Sequence, residues 1–260
     1  MPAPRNTFKA ALAQQRPQIG CWMSFGEAST AELMATAGFD WLVIDGEHGP
    51  NDLRSIRDQL MVTDPSPSHA VVRVPYGQDW IIKQALDAGA QTLLVPLIDT
   101  AEQAREMVRA CRYAPEGIRG MGGAGSRVTR FGSISDYATT ANREICLLVQ
   151  VETRLGIENL DEILAVDGVD GVFIGPADLS ADMGFPGNSG APEVQDVIEA
   201  AIRKVRAAGK AAGILTLSID GAQKHLAQGA TFVAVGIDTL VLANAARSLC
   251  SDAKALLDQQ

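Results

Sequence analysis

The chain has 260 residues, with 31 Asp and Glu against 22 Lys and Arg, for a formal net charge of -9. No Lys/Arg cluster offsets that charge, which argues against a nucleic-acid partner. No apolar run reaches the length of a membrane span, and the balance of 47% hydrophobic to 20% charged residues is that of a globular core. The N-terminal stretch MPAPRNTFKAALAQQRPQIG lacks the apolar segment of a secretory signal, so a cytoplasmic protein is expected.

Taken in order, the chain opens with a short helix over Thr7–Gln15. Apolar runs and amphipathic segments then alternate to the end. The runs predict eight strands, at Ile19–Phe25, Trp41–Asp45, Ala70–Val74, Thr92–Leu97, Ile145–Val151, Gly171–Ile174, Ala211–Leu215 and Phe232–Val235. Helices are predicted between and after them, at Ser29–Ala37, Asp52–Val62, Asp79–Ala88, Ala101–Tyr113, Ile157–Ala165, Pro192–Ala208, Ile219–Gln228 and Thr239–Leu257. Gly38, Gly89, Gly209 and Gly229 follow four of these helices, where a glycine ends a helix in the left-handed conformation. Eight alternations in a chain of this size predict one α/β domain over residues 1–260, a single (β/α)8 TIM barrel. A doubly wound sheet is the competitor, but no glycine-rich phosphate turn follows an early strand. The long stretch PEGIRGMGGAGSRVTRFGSI is read as an irregular loop; its G-x-G-x-x-G has no strand before it and carries little weight.

Cys21, Cys111, Cys146 and Cys250 form no C-x-x-C pair and read as reduced thiols, those of Cys21 and Cys146 inside strands. Barrels place their chemistry at the carboxyl ends of strands. Strand two ends in Asp45-Gly46-Glu47-His48, strand three carries Arg73, strand five ends in Gln150-Val151-Glu152, and strand six runs into Gly175-Pro176-Ala177-Asp178. Glu152 and Asp178 read as oxygen ligands for a hard divalent cation, or alternatively as helix caps. His48 reads as a general base or as a loop-fixing histidine; His69 and His225 read as solvated. Arg73 needs an anion in its apolar strand, either a substrate carboxylate or an internal pair with Asp45 or Glu47. Asp87 ends a helix, an unfavourable place for an acid that suggests another task, such as orienting a histidine. No lysine stands at a strand's carboxyl end, so Schiff-base chemistry lacks a nucleophile.

The segments FDWLVIDGEHGP, VVRVP, LDAGAQTLLVPLIDTAEQAREMVRACRYAPEGIRG, LLVQVETRLGIENL and GVDGVFIGPADLSADMG closely resemble the HpcH/HpaI aldolase family. Its members are the metal-dependent, class II pyruvate aldolases. The resemblance implies reversible cleavage of a 4-hydroxy-2-oxo acid to pyruvate and an aldehyde. It assigns Glu152 and Asp178 to a divalent metal (Mg2+, Mn2+ or Co2+), Arg73 to the pyruvate carboxylate and enolate, and His48 to the base, made more basic by Asp87. Gln150 and the backbone at Ala177 would contact substrate, with Asp45 in the same polar network. A homohexamer, a trimer of dimers, is also implied, its last helix (around LVLANAARSLC) exchanged between neighbours. The alternatives are a CoA-thioester lyase of the citrate-lyase-like branch and a non-catalytic barrel. The first wants a basic surface that this chain lacks, and the second a degraded site.

Overall fold

The structure, a computed structural model, describes residues 1–257; residues 258–260 of the expected domain lie outside the described part. Eight parallel strands close into a barrel in sequence order. They are β1 (Gln18–Met23), β2 (Trp41–Asp45), β3 (His69–Arg73), β4 (Thr92–Val95), β5 (Cys146–Val151), β6 (Gly171–Ile174), β7 (Ala211–Leu215) and β8 (Phe232–Ile237). The expected (β/α)8 barrel is therefore the observed one. β8 returns to β1 in parallel, Gln18 opposite Phe232, which leaves no sheet edge exposed.

Side chains alternate along a strand, and this parity sorts the core into two layers. Trp22, Trp41, Val43, Val71, Leu94, Leu148, Phe173 and Phe232 fill the barrel interior. Leu42, Ile44, Val72, Leu93, Leu147, Val149 and Val172 face the surrounding helices. The interior is aromatic, and glycines make room for it. A Cβ on Gly20 would overlap the Trp41 ring, and one on Gly213 the Phe232 ring. Gly38, Gly89, Gly209 and Gly229 all take positive φ, as their helix-ending positions require.

The Thr7–Ala13 helix plugs the amino-terminal end of the barrel. Its cap Asn6 accepts from the Lys9 amide at 2.8 Å, and its Nδ2 donates to Thr92 Oγ1 at 3.0 Å. Phe8 packs against the Trp41 and Phe232 rings, 5.8 and 6.2 Å away, and stacks on His69 at 5.3 Å.

The structure corrects several expectations. His69 begins β3 instead of lying in a solvated loop; its Nε2 is 2.7 Å from Thr92 Oγ1, and burial pulls its pKa down to about 4. His225 is buried, with Nδ1 2.9 Å from Gln228 Oε1. The helix expected at Ile157–Ala165 is two short ones, Arg154–Glu158 and Leu160–Leu164, broken at Asn159. The irregular loop holds two 3-10 turns, and a short helix at Tyr137–Thr140 comes after it. Cys21, Cys111 and Cys146 are buried free thiols; Cys250 is exposed. No described helix is long and apolar enough to cross a membrane.

Candidate active site

Parity aims the candidate residues. Trp41 and Val43 point into the barrel, so Asp45 does too; Val71 carries Arg73 with it, and Cys146 and Leu148 carry Gln150. All three stand at carboxyl ends, one pleat above the aromatic interior. Glu152 lies just beyond β5 and Asp178 in the first turn of the Pro176–Asp182 helix that succeeds β6.

Arg73 is buried and held by two acids. Its Nε and Nη2 donate side-on to Asp45 at 2.9 and 2.7 Å, its Nη1 lies 2.8 Å from Glu47 Oε2, and its guanidinium sits 5.2 Å over the Trp22 ring. Both internal pairs that the sequence allowed are thus formed. Two carboxylates around one guanidinium leave the group with excess negative charge and a fixed fork, open to an anion only through its remaining N–H bonds. Burial alone would raise the Asp45 carboxyl, but the hydrogen bonds and charge of Arg73 hold it below the usual carboxylate range. At Glu47 burial wins, and the carboxyl is raised despite Arg73. Asp45 Oδ1 also accepts from the amides of Glu47 and His48, at 3.1 and 3.3 Å, which shapes the Gly46–His48 turn. The His48 ring is exposed, with Nε2 4.0 Å from Glu47 Oε2.

Glu152 is 1% exposed. Its Oε1 accepts from the Leu97 amide at 2.9 Å and its Oε2 from Gln150 Nε2. Burial, and then the charges of Asp178 and Glu47, push its carboxyl up to about 7 against those two hydrogen bonds. A Cβ on Gly175 would overlap the Glu152 side chain, so the glycine provides its space. The helix-cap reading of Glu152 fails: the cap of the Arg154–Glu158 helix is Thr153, whose hydroxyl accepts from Gly156 at 2.9 Å. Asp178 caps nothing either, since the cap residue of its helix is Gly175.

The donor set suits a hard divalent cation. Burial, with neighbouring negative charges adding to it, raises the Glu152 carboxyl, and Gln150 Oε1 is buried without a partner. An added positive charge would relieve the first and could engage the second. Among the described residues no cluster of three His, Cys, Asp or Glu side chains is disposed for a metal. Two carboxylates with open positions for substrate and water remain a fitting arrangement for such an ion.

Asp87 stands apart. The Asp79–Ala88 helix runs from the carboxyl end of β3 back to the amino end of β4, so eight residues of helix carry Asp87 about 12 Å down the barrel. Its partner is Arg119 Nη2 at 3.0 Å, and the Arg119 guanidinium lies 4.4 Å from the Tyr113 ring. Within one chain Asp87 does not meet His48. Glu47, considered from sequence only as a partner for Arg73, lies between Arg73 and His48. Leu97 gives no sequence signal at all, because its contribution is a backbone amide. The cap roles of Thr153 and Asn6 go beyond the sequence reading, although their residue types are those of helix caps.

A closed parallel barrel whose carboxyl rim gathers a gripped guanidinium, an exposed imidazole and paired acids is the architecture of a barrel enzyme for a small anionic substrate. The chain belongs to the HpcH/HpaI aldolase/citrate lyase family, whose model matches residues 18–245. A hydroxypyruvate/pyruvate aldolase of Agrobacterium fabrum is 62% identical over 249 residues, covering 96% of this chain and 94% of that protein. A 4-hydroxy-2-oxovalerate aldolase of Rhodococcus jostii is 56% identical over 252 residues, covering 96% and 97%. The crystal structure of an HpcH/HpaI aldolase/citrate lyase family protein from Burkholderia cenocepacia superimposes with a TM-score of 0.93 at 38% identity, covering 96% of this chain and 99% of that one.

Proposed function

We propose that the chain is a class II pyruvate aldolase that reversibly cleaves a 4-hydroxy-2-oxo acid to pyruvate and an aldehyde. The observation that carries this reading is the buried Arg73, locked by Asp45 and Glu47 at the same rim as Glu152. Relatives named for hydroxypyruvate/pyruvate and for 4-hydroxy-2-oxovalerate support the substrate class.

Glu152 and Asp178 would hold a divalent cation (Mg2+, Mn2+ or Co2+), which when bound supplies Lewis-acid stabilisation of the 2-oxo group. Arg73 binds the substrate carboxylate through its free N–H bonds and stabilises the enolate as its charge develops. His48 accepts the 4-hydroxyl proton. The O–H electron pair becomes the aldehyde C=O, the C3–C4 pair becomes the enolate C2=C3 bond as the C2=O π pair moves onto oxygen, and a proton delivered to C3 restores the C2=O of pyruvate. Gln150 and the backbone at Ala177 orient the substrate, and Asp45 keeps the Arg73 fork in place. If Asp87 raises the basicity of His48, it does so from a neighbouring copy, since the two stand at opposite ends of one barrel. This fits a homohexamer, a trimer of dimers, in which the Asp238–Ala255 helix is exchanged. The three buried free thiols fit a cytoplasmic location.

The test is release of pyruvate from 4-hydroxy-2-oxovalerate, monitored by coupled NADH oxidation with and without Mg2+. Cation-dependent turnover that Glu152→Gln abolishes is the expected result. No pyruvate from this or longer 4-hydroxy-2-oxo acids would overturn the proposal.

A further inference from the structure

The backbone beside Glu152 carries a feature that residue type alone does not explain. Leu97 has φ +56°, in the left-handed region where a residue with a Cβ is strained. Its side chain is 38% exposed, so packing does not demand a leucine there. The strand ladder pairs Val95 with Val149 and resumes at Ile98, whose amide donates to the Gln150 carbonyl at 3.0 Å. Pro96 and Leu97 form the kink between those two rungs. The kink turns the Leu97 amide inward, 2.9 Å from Glu152 Oε1.

Asp99, two residues past the kink, holds it closed. The Asp99 amide donates to Gln103 Oε1 at 2.8 Å, its carbonyl accepts from Asn159 Nδ2 at 2.8 Å, and its carboxylate accepts from the Thr153 hydroxyl. Thr153 is the residue next to Glu152, so one bracket grips both the donor strand and the acid it serves. Strained residues persist where surrounding structure over-determines them, and they concentrate at functional sites.

We propose that Leu97 is a positioning residue: its left-handed backbone aims an amide at Glu152 Oε1 and fixes the carboxylate in the orientation that receives a cation. This role rests on Glu152 being a cation ligand, the reading proposed for the rim. The contribution belongs to the backbone, which makes an unusual prediction. Glycine, which adopts positive φ freely, should replace leucine without loss, whereas valine, similar in polarity but β-branched, should not.

The experiment is titration of the EDTA-treated full chain with Mn2+, reading free Mn2+ by electron paramagnetic resonance. Leu97→Gly is expected to bind within about threefold of the parent, and Leu97→Val about tenfold more weakly, the lower end of outer-sphere effects on metal affinity. Replacing Leu97 by its α-hydroxy acid removes only the N–H and covers the case in which the valine variant does not fold; it too should bind about tenfold more weakly. A glycine variant weaker than the valine one would assign the role to the side chain and overturn the proposal. So would parental affinity in the ester variant. If Glu152→Gln keeps parental Mn2+ affinity, the cation reading itself falls, and this inference falls with it.

Discussion

Arg73 joins the rim's ion pairs to the proposed chemistry in one side chain. It touches two acids through three nitrogens and lies over Trp22, so a lysine at this position cannot reproduce the fork. Arg73→Lys should lower kcat about 100-fold, the range seen when an oriented electrostatic donor is removed, with a smaller change in KM. Steady-state kinetics on a 4-hydroxy-2-oxo acid check this; an equal loss confined to KM would mean that Arg73 only binds substrate. His69 makes a prediction of a different kind. Its folded pKa is lowered to about 4 by burial, against about 6.5 in an unfolded chain. Between these values the unfolded chain holds the extra proton, so stability is full above pH 6.5 and declines as pH falls toward 4. Urea unfolding at pH 7 and pH 5 should show the decline, and His69→Gln should flatten it.

The barrel was legible at the level of elements because two independent signals agreed. Buried parallel strands read as continuous apolar runs, and four helices ended in glycine as such helices do. Parity then placed Asp45, Arg73 and Gln150 at one rim. Two kinds of feature stayed hidden. Leu97 acts through φ and an amide, which leave no mark on residue type. Resemblance assigns Asp87 to His48, but within one chain a helix running down the barrel separates them. TDPSPSH has loop composition, yet its last residue, His69, begins β3 and is half-buried, with Phe8 of the Thr7–Ala13 plug stacked on it. Gly175 gives the element-scale prediction. It leaves space between β6 and its helix that a methyl group would take from Glu152. If Glu152 holds the cation as proposed, Gly175→Ala should cut kcat/KM by about tenfold or more, because small displacements of reacting groups are costly, with a thermal midpoint within a few degrees of the parent. A variant of unchanged activity would show that the Glu152 carboxylate tolerates displacement.

At the scale of the molecule, the Asp238–Ala255 helix is tied down only at its start. Asp238 is its one buried residue, accepting from the Ser24 amide at 2.8 Å, while Val241, Leu242 and Leu249 are exposed. An apolar helix left in water predicts self-association. Sedimentation should report a multiple of the 27.5 kDa chain, and Leu242→Glu with Leu249→Glu should shift it to smaller species. A parent chain that sediments as a monomer would contradict the exchanged-helix assembly. The proposed enolate stabilisation at the rim is the central claim, and it can be tested without knowing the aldehyde. Pyruvate in D2O with the protein and Mg2+ should exchange its methyl protons, seen as decay of the methyl signal in the proton NMR spectrum. EDTA should stop the exchange and Arg73→Lys should slow it. Exchange no faster than in protein-free buffer, with Mg2+, Mn2+ or Co2+ alike, would contradict a site built to stabilise the pyruvate enolate.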